Sequence, residues 1–209
     1  MENKKYFSLT LILCSTLFFL IGYLTGIGID SENKQVKRQE FSIDVSGFRV
    51  DNKEALDKVI QKDSEILFEI QSTSNNFIIE RTRTADEEAL VGRTGRELEE
   101  KYKQYGYVLK NVTSNKIELV RKPIVYKPNR YILFTHNNEI VIARSDEKGS
   151  IFDKNGNLLS KEGTGTKFTS LRNMDIDNIV KGHESMQFES IEQLNDGIKD
   201  FDIKYEMPE

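Results

Sequence analysis

The sequence predicts an α+β fold behind an N-terminal transmembrane helix. Three observations carry that prediction. An uncharged run fills residues 6–29, short alternating apolar stretches recur in hairpin-like pairs after residue 63, and three segments carry helical spacing with capping residues. The chain therefore divides into a cytoplasmic tail and anchor (1–29), a tether and accessory segment (30–62), a first folded domain (63–124) and a second (125–209).

"YFSLTLILCSTLFFLIGYLTGIGI", Tyr6 to Ile29, is long enough for a helix rising about 1.5 Å per residue to cross a hydrocarbon core of about 30 Å. A secretory signal has a shorter apolar region and then a small-x-small cleavage site; Gly26-Ile27-Gly28 is only a weak version of one, so the run reads as an uncleaved anchor. Cys14 follows Leu13 where a lipoprotein signal wants a small residue, and it reads as a thiol in lipid. Lys4 and Lys5 sit on the short tail, Asp30 and Glu32 lie closest on the distal flank, and the tail is expected to stay cytoplasmic with residues 30–209 outside.

The whole chain carries −4; Glu2, Lys4 and Lys5 give the first 29 residues +1, which leaves −5 on the remaining 180. That balance argues against a nucleic-acid partner, which needs a clustered basic surface. No cysteine lies beyond the span, so the exported part is expected to fold without disulfides.

"DSENKQVKRQE" has the mixed charge of a solvated tether, "FSIDVSGFRV" alternates as a short strand, and "DNKEALDKVIQK" reads as a short helix with Asp51 and Glu54 at capping spacing. "EILFEIQ" and "NFIIERTRT" read as strands joined by the polar turn "STSNN". In "LVGRTGRELEEKYKQYG", Thr94 and Glu97 have capping-box spacing, Leu98, Tyr102 and Tyr105 fall on one helical face, and Gly106 stops the helix. Gly92 and Gly95 are too close together for a phosphate loop, and no Lys-Ser or Lys-Thr follows them. "YGYVLKNVT" and "KIELVRK", turning at Ser114-Asn115, complete a ββαββ order, which is β-grasp-like.

Pro123 and Pro128 mark a linker. "RYILFTHNNEIVIAR" is a hairpin turning at His136-Asn137-Asn138, "SIFDKNGNLLS" turns at Asn155-Gly156, and "GTGTKFTS" is expected to be a flexible loop. "LRNMDIDNIVKG" and "SIEQLNDGIKDF" are helical, the latter with Ser190 and Gln193 as a capping box and with Gly197 costing about 1 kcal/mol relative to alanine. The second domain is thus a small β-meander with two helices.

No catalytic, cofactor-binding or metal-ligating residue is assigned. Asp153, Asn155, Gly156, Leu158 and Glu162 fit part of a calcium loop, but Ile151 stands at its first ligand position. "GHESMQ" has Gln187 where a zinc motif needs its second histidine, leaving His183 to a turn between helices and His136 without a partner for chemistry. Asp175 and Asp177 are two apart, do not share a helical face and read as solvated acids. Asn111-Val112-Thr113 is a glycosylation sequon on an expected strand.

The pattern "LVGRTGRELEEKYKQYGYVLKNVTSNKIELVRK", then "KPNRYILF" and "NEIVIARSDEKG", closing with "FESIEQLNDGIKDF", resembles the bypass-of-forespore C (BofC) family of spore-forming Firmicutes, especially its membrane-anchored clostridial members. The resemblance spans residues 64–203 and implies a β-grasp domain followed by a small α/β domain. It implies a non-catalytic regulator, one that restrains a signalling peptidase in the space between the two spore membranes. Many clostridial members carry Cys-Gly-His in the first hairpin and a Cys and His farther on; this chain has no Cys-Gly-His, and Lys127 and Arg130 stand at the later places, so no metal or thiol role is implied. The expectation is a single-pass membrane protein whose partners are the bilayer and another protein, with no nucleic acid and no small-molecule substrate. The alternative is a membrane-tethered cell-envelope enzyme or ligand-binding module with an acidic site.

Overall fold

The computed structural model describes residues 56–201 apart from 114, together with residues 203, 205 and 207. The expected transmembrane helix, the tether, the strand at residues 41–50 and the start of the helix after it lie outside these. Among the described residues no helix is long and apolar enough to cross a membrane. The described residues form an α+β fold in one compact unit, with two four-stranded sheets and three full α-helices among them.

The first sheet holds β1 (Glu65–Thr73), β2 (Asn76–Thr84), β3 (Val108–Val112) and β4 (Lys116–Arg121) in the order β2-β1-β4-β3. Both hairpins are antiparallel, and they join through β1 and β4, which run parallel from Glu65↔Lys116 to Ile70↔Arg121. Helix α1 (Gly95–Lys103) connects them. Its start is fixed by Thr94, whose hydroxyl accepts from the Glu97 amide while the Glu97 carboxylate accepts from the Thr94 amide at 2.8 Å. Such a box satisfies two amides that the helix leaves without partners. Gly106, at φ 79°, ends the turn after it in the left-handed region that costs a side-chain-bearing residue strain.

The second sheet orders β5 (Tyr131–His136), β6 (Glu139–Arg144), β7 (Glu162–Lys167) and β8 (Gln187–Phe188) as β7-β6-β5-β8. Asn137 and Asn138, both at positive φ, make the two-residue turn between β5 and β6. "EGTGTK" is a strand where a flexible loop is expected: its glycines and threonines lack an apolar stripe, but pairing along β6 supplies the order that propensity withholds. At Asn155-Gly156 a turn forms, yet its flanks make only the isolated bridge Phe152↔Leu158. The Asp153 carboxylate organises it by accepting from the amides of Asn155 and Asn157 at 2.8 and 2.9 Å.

Helices α2 (Asn173–Lys181) and α3 (Ile191–Lys199) cover one face of this sheet. Ser190 caps α3 by accepting from the Gln193 amide, but the Gln193 side chain reaches past it to the Glu189 amide, so the expected box is half formed. Gly197 lies against the Phe188 ring, with no room for a methyl group; its presence in the helix is a packing requirement of β8.

A single apolar cluster crosses the segment that carries Pro123 and Pro128. It joins Phe68, Leu98 and Leu119 of the first half to Leu133, Ile179 and Leu194 of the second. The opposite face of the second sheet closes over Ile132, Phe134 and Val141, with Ile70, Tyr126 and Ile151 packed against them. The halves also meet through the backbone. Amides of Asn137 and Asn138 donate to the carbonyls of Ile79 and Glu80 at 3.1 and 3.2 Å, and the Thr82 amide donates to the Asn138 side chain at 2.8 Å. The turn of one hairpin thereby occupies the free edge of β2, whose open polar groups would otherwise invite pairing with another chain.

Candidate functional site

The site grows from an irregularity in β2. Phe68 pairs with Arg81 and Glu69 with Ile79, so Glu80 is an extra residue in the ladder. A bulge of this kind breaks the alternation of faces, and both Glu80 and Arg81 end buried, at 1% and 4% exposure. Behind them Arg121, at the end of β4, directs its guanidinium at Glu80: Nε donates to Oε2 at 2.8 Å and Nη2 forms the second arm with Oε1. Tyr107 donates its hydroxyl to the same carboxylate, and Arg121 Nη1 donates to the Val180 carbonyl of α2 at 2.5 Å. A buried charge is tolerated only when paired and hydrogen-bonded, and this pair ties the first sheet to a helix of the second half. The neighbouring Glu80 charge raises the Arg121 pKa against the lowering effect of burial, and burial raises that of Tyr107.

In front of this network a cleft of about 620 Å³ opens between α1 and α2. Arg81 forms part of its inner wall, with its guanidinium carbon 3.7 Å from the centre of the Phe68 ring and Nη1 donating to the Tyr107 hydroxyl at 3.2 Å. On the α1 side, Glu88 accepts from the Tyr102 hydroxyl, from Arg83 Nε at 3.2 Å and, more distantly, pairs with Lys101 at 3.7 Å. Across the opening, Tyr105 donates to Asp177 Oδ1 and Lys181 to Asp177 Oδ2, both at 2.7 Å, bracing α1 against α2. Leu171, Met174 and Ile176 supply an apolar rim, and Met174 is 65% exposed.

Chemically, these phenols are held as donors. Burial, reinforced by Glu88, raises the Tyr102 pKa far out of the neutral range, and burial followed by the Asp177 hydrogen bond pushes Tyr105 up to about 12. The Lys181 hydrogen bond, with help from Tyr105, lowers the pKa of Asp177. A carboxyl that donates protons at neutral pH needs a raised value instead.

The residues weighed in the sequence fall elsewhere. Arg93 pairs with Glu97 at 2.9 Å and Arg96 with Asp57 at 3.1 Å, so both arginines of the glycine-containing segment already face carboxylates. His183 caps the short 3-10 turn Glu184–Met186 between α2 and α3 by accepting from the Ser185 amide. The His136 pKa is lowered, by burial first and by nearby Lys161 second. Asp175, read as a solvated acid, is 2% exposed: it sits in the first turn of α2 and takes Arg172 Nε at 2.7 Å. Asp177 does line the cleft. Among the described residues no three His, Cys, Asp or Glu side chains gather as a metal site.

Sequence reasoning missed Glu80, Arg81 and Arg121. The available signal was the adjacent charged pair Glu80-Arg81 directly after the apolar run Phe77-Ile78-Ile79, since strict alternation would send one of the two to solvent. Comparison of the chain with protein families, with curated proteins and with solved structures finds no match.

Proposed function

We propose that the chain is a single-pass membrane-anchored regulator whose folded part stands outside the cytoplasm and acts by binding another protein. The observation that carries this reading is the cleft between α1 and α2. Glu88 and Asp177 are each engaged by a phenol and by cations of the cleft wall, while Arg81 and an apolar rim face the opening. Such a surface suits recognition of a partner.

The uncharged run Tyr6–Ile29 supports the anchor. The ladder order β2-β1-β4-β3, with α1 between the hairpins, supports a β-grasp-like first half, and the β5-β6-β7 meander with α2 and α3 supports the second as BofC-like. On that resemblance the partner is an envelope signalling peptidase and the setting is sporulation. Membrane fractionation followed by protease treatment of intact protoplasts, made from vegetative cells that express the chain so that no engulfed forespore shields it, tests the reading. The chain should sediment with membranes and be digested from outside; recovery in the soluble fraction, or full protection from protease, overturns it.

A further inference from the structure

We infer that the cleft between α1 and α2 receives a carboxylate of a partner polypeptide, seated on Arg81, with a neighbouring apolar side chain on the rim at Met174. The inference rests on the partner-binding reading and names the chemistry of that partner.

The starting point is a charge imbalance in the buried network. Glu80, Arg81 and Arg121 are at most 4% exposed, so two guanidiniums are buried beside one carboxylate. Arg121 takes both oxygens of Glu80 and the Val180 carbonyl. Arg81 is left with the Tyr107 hydroxyl and with ring faces, Phe68 at 3.7 Å and Phe168 at 5.3 Å. A guanidinium has five N–H donors, and among the described residues no carboxylate pairs with this one. A buried cation without an acid is costly, and here it lines the cleft.

The acids around the cleft do not fill that role. Glu87 lies 3.6 Å from Arg83, Glu88 is held by Arg83, Lys101 and Tyr102, and Asp177 by Lys181 and Tyr105. Their charges are already answered by cations other than Arg81. An incoming carboxylate would therefore meet a guanidinium that lies over the Phe68 ring and has no acid of its own, the planar fork that arginine offers to carboxylates in bidentate pairs. A peptide, rather than a free carboxylate, is indicated by the apolar rim of Leu171, Met174 and Ile176, which a free carboxylate would leave uncovered.

The test is isothermal titration of the full-length chain in lipid nanodiscs with three probes: acetyl-Gly-Leu-Asp-Leu-Gly-amide, its asparagine counterpart and sodium propionate. The aspartate peptide should bind saturably, with the asparagine peptide and propionate each at least about tenfold weaker. Arg81→Gln should weaken the aspartate peptide at least about tenfold. Met174→Asp, at an exposed rim position, should weaken it at least about threefold through like-charge repulsion without altering the melting temperature. Absence of saturable heat, equal affinity for the aspartate and asparagine peptides, or wild-type binding by folded Arg81→Gln overturns the inference; propionate binding as tightly as the peptide overturns its peptide part. If Arg81→Gln does not fold, Met174→Asp and the peptide comparison decide. Fractionation and protease accessibility do not depend on Arg81, so failure here leaves the membrane-regulator reading standing.

Discussion

Replacing Glu80 by glutamine is the sharpest perturbation of the fold, because it removes one negative charge and no volume. Glu80 is 1% exposed and Arg121 2%, so neither gains water in the variant. The glutamine amide group presents N–H donors where Arg121 already donates, and Tyr107 loses a charged acceptor. Breaking one side of a buried ion pair costs about 3–5 kcal/mol, against a surface pair's 0–1. For a chain of this size that corresponds to a fall in melting temperature of roughly 6–20 °C. Calorimetry of the full-length chain with matched urea titrations measures both. The double variant Glu80→Leu, Arg121→Met should recover about 2 kcal/mol or more of the loss, since an apolar pair of similar volume replaces a desolvated ionic one. A Glu80→Gln loss below about 0.5 kcal/mol would refute the reasoning, because water or another acid would then have to answer Arg121.

Thr94→Ala should cost about 0.5–2 kcal/mol in urea titration through loss of the α1 cap. Gly156 sits at φ 83° with Ser72, Thr73 and Asn76 where a methyl group would go, so Gly156→Ala should destabilise by about 1–3 kcal/mol, read by the same titration. With rising pH, the unfolded chain releases the Tyr105 proton at the ordinary value of 10.0, while the folded chain holds it to about 12. Stability from this group is complete below about pH 10 and declines towards pH 12, and Tyr105→Phe should flatten that decline in urea midpoints. With falling pH the lowered values of Asp177 and Glu97 act in the opposite sense, so stability present at neutral pH should drop below about pH 4.5.

Local rules made α1 and two of the hairpin turns legible. Thr94 and Glu97 announce α1, the polar cluster around Ser74 and Asn75 announces the first hairpin, and Asn137-Asn138 announces the turn into β6, because each feature is decided within a few residues. What was not legible depends on partners distant in sequence. The β7 strand exists because β6 offers it a ladder. The cleft needed more still: a bulge one residue long turns Glu80 and Arg81 to the same side, and Arg121 meets them from 41 residues farther along. Two predicted domains likewise share one apolar cluster, since Phe68 and Leu133 carry no mark in the sequence that they face a common core.

The account's central claim is that the outer face of a membrane-tethered chain engages a protein through the cleft between α1 and α2. Photo-crosslinking in intact host cells measures this most directly, with a photoreactive amino acid at Met174 on the cleft rim and, in a separate strain, at exposed Lys154 on the Asp153 turn. The account predicts a discrete adduct with one extracytoplasmic protein from Met174, absent from Lys154 and displaced by the aspartate peptide but not by its asparagine counterpart. No adduct from Met174, or the same adducts from both positions, would contradict it.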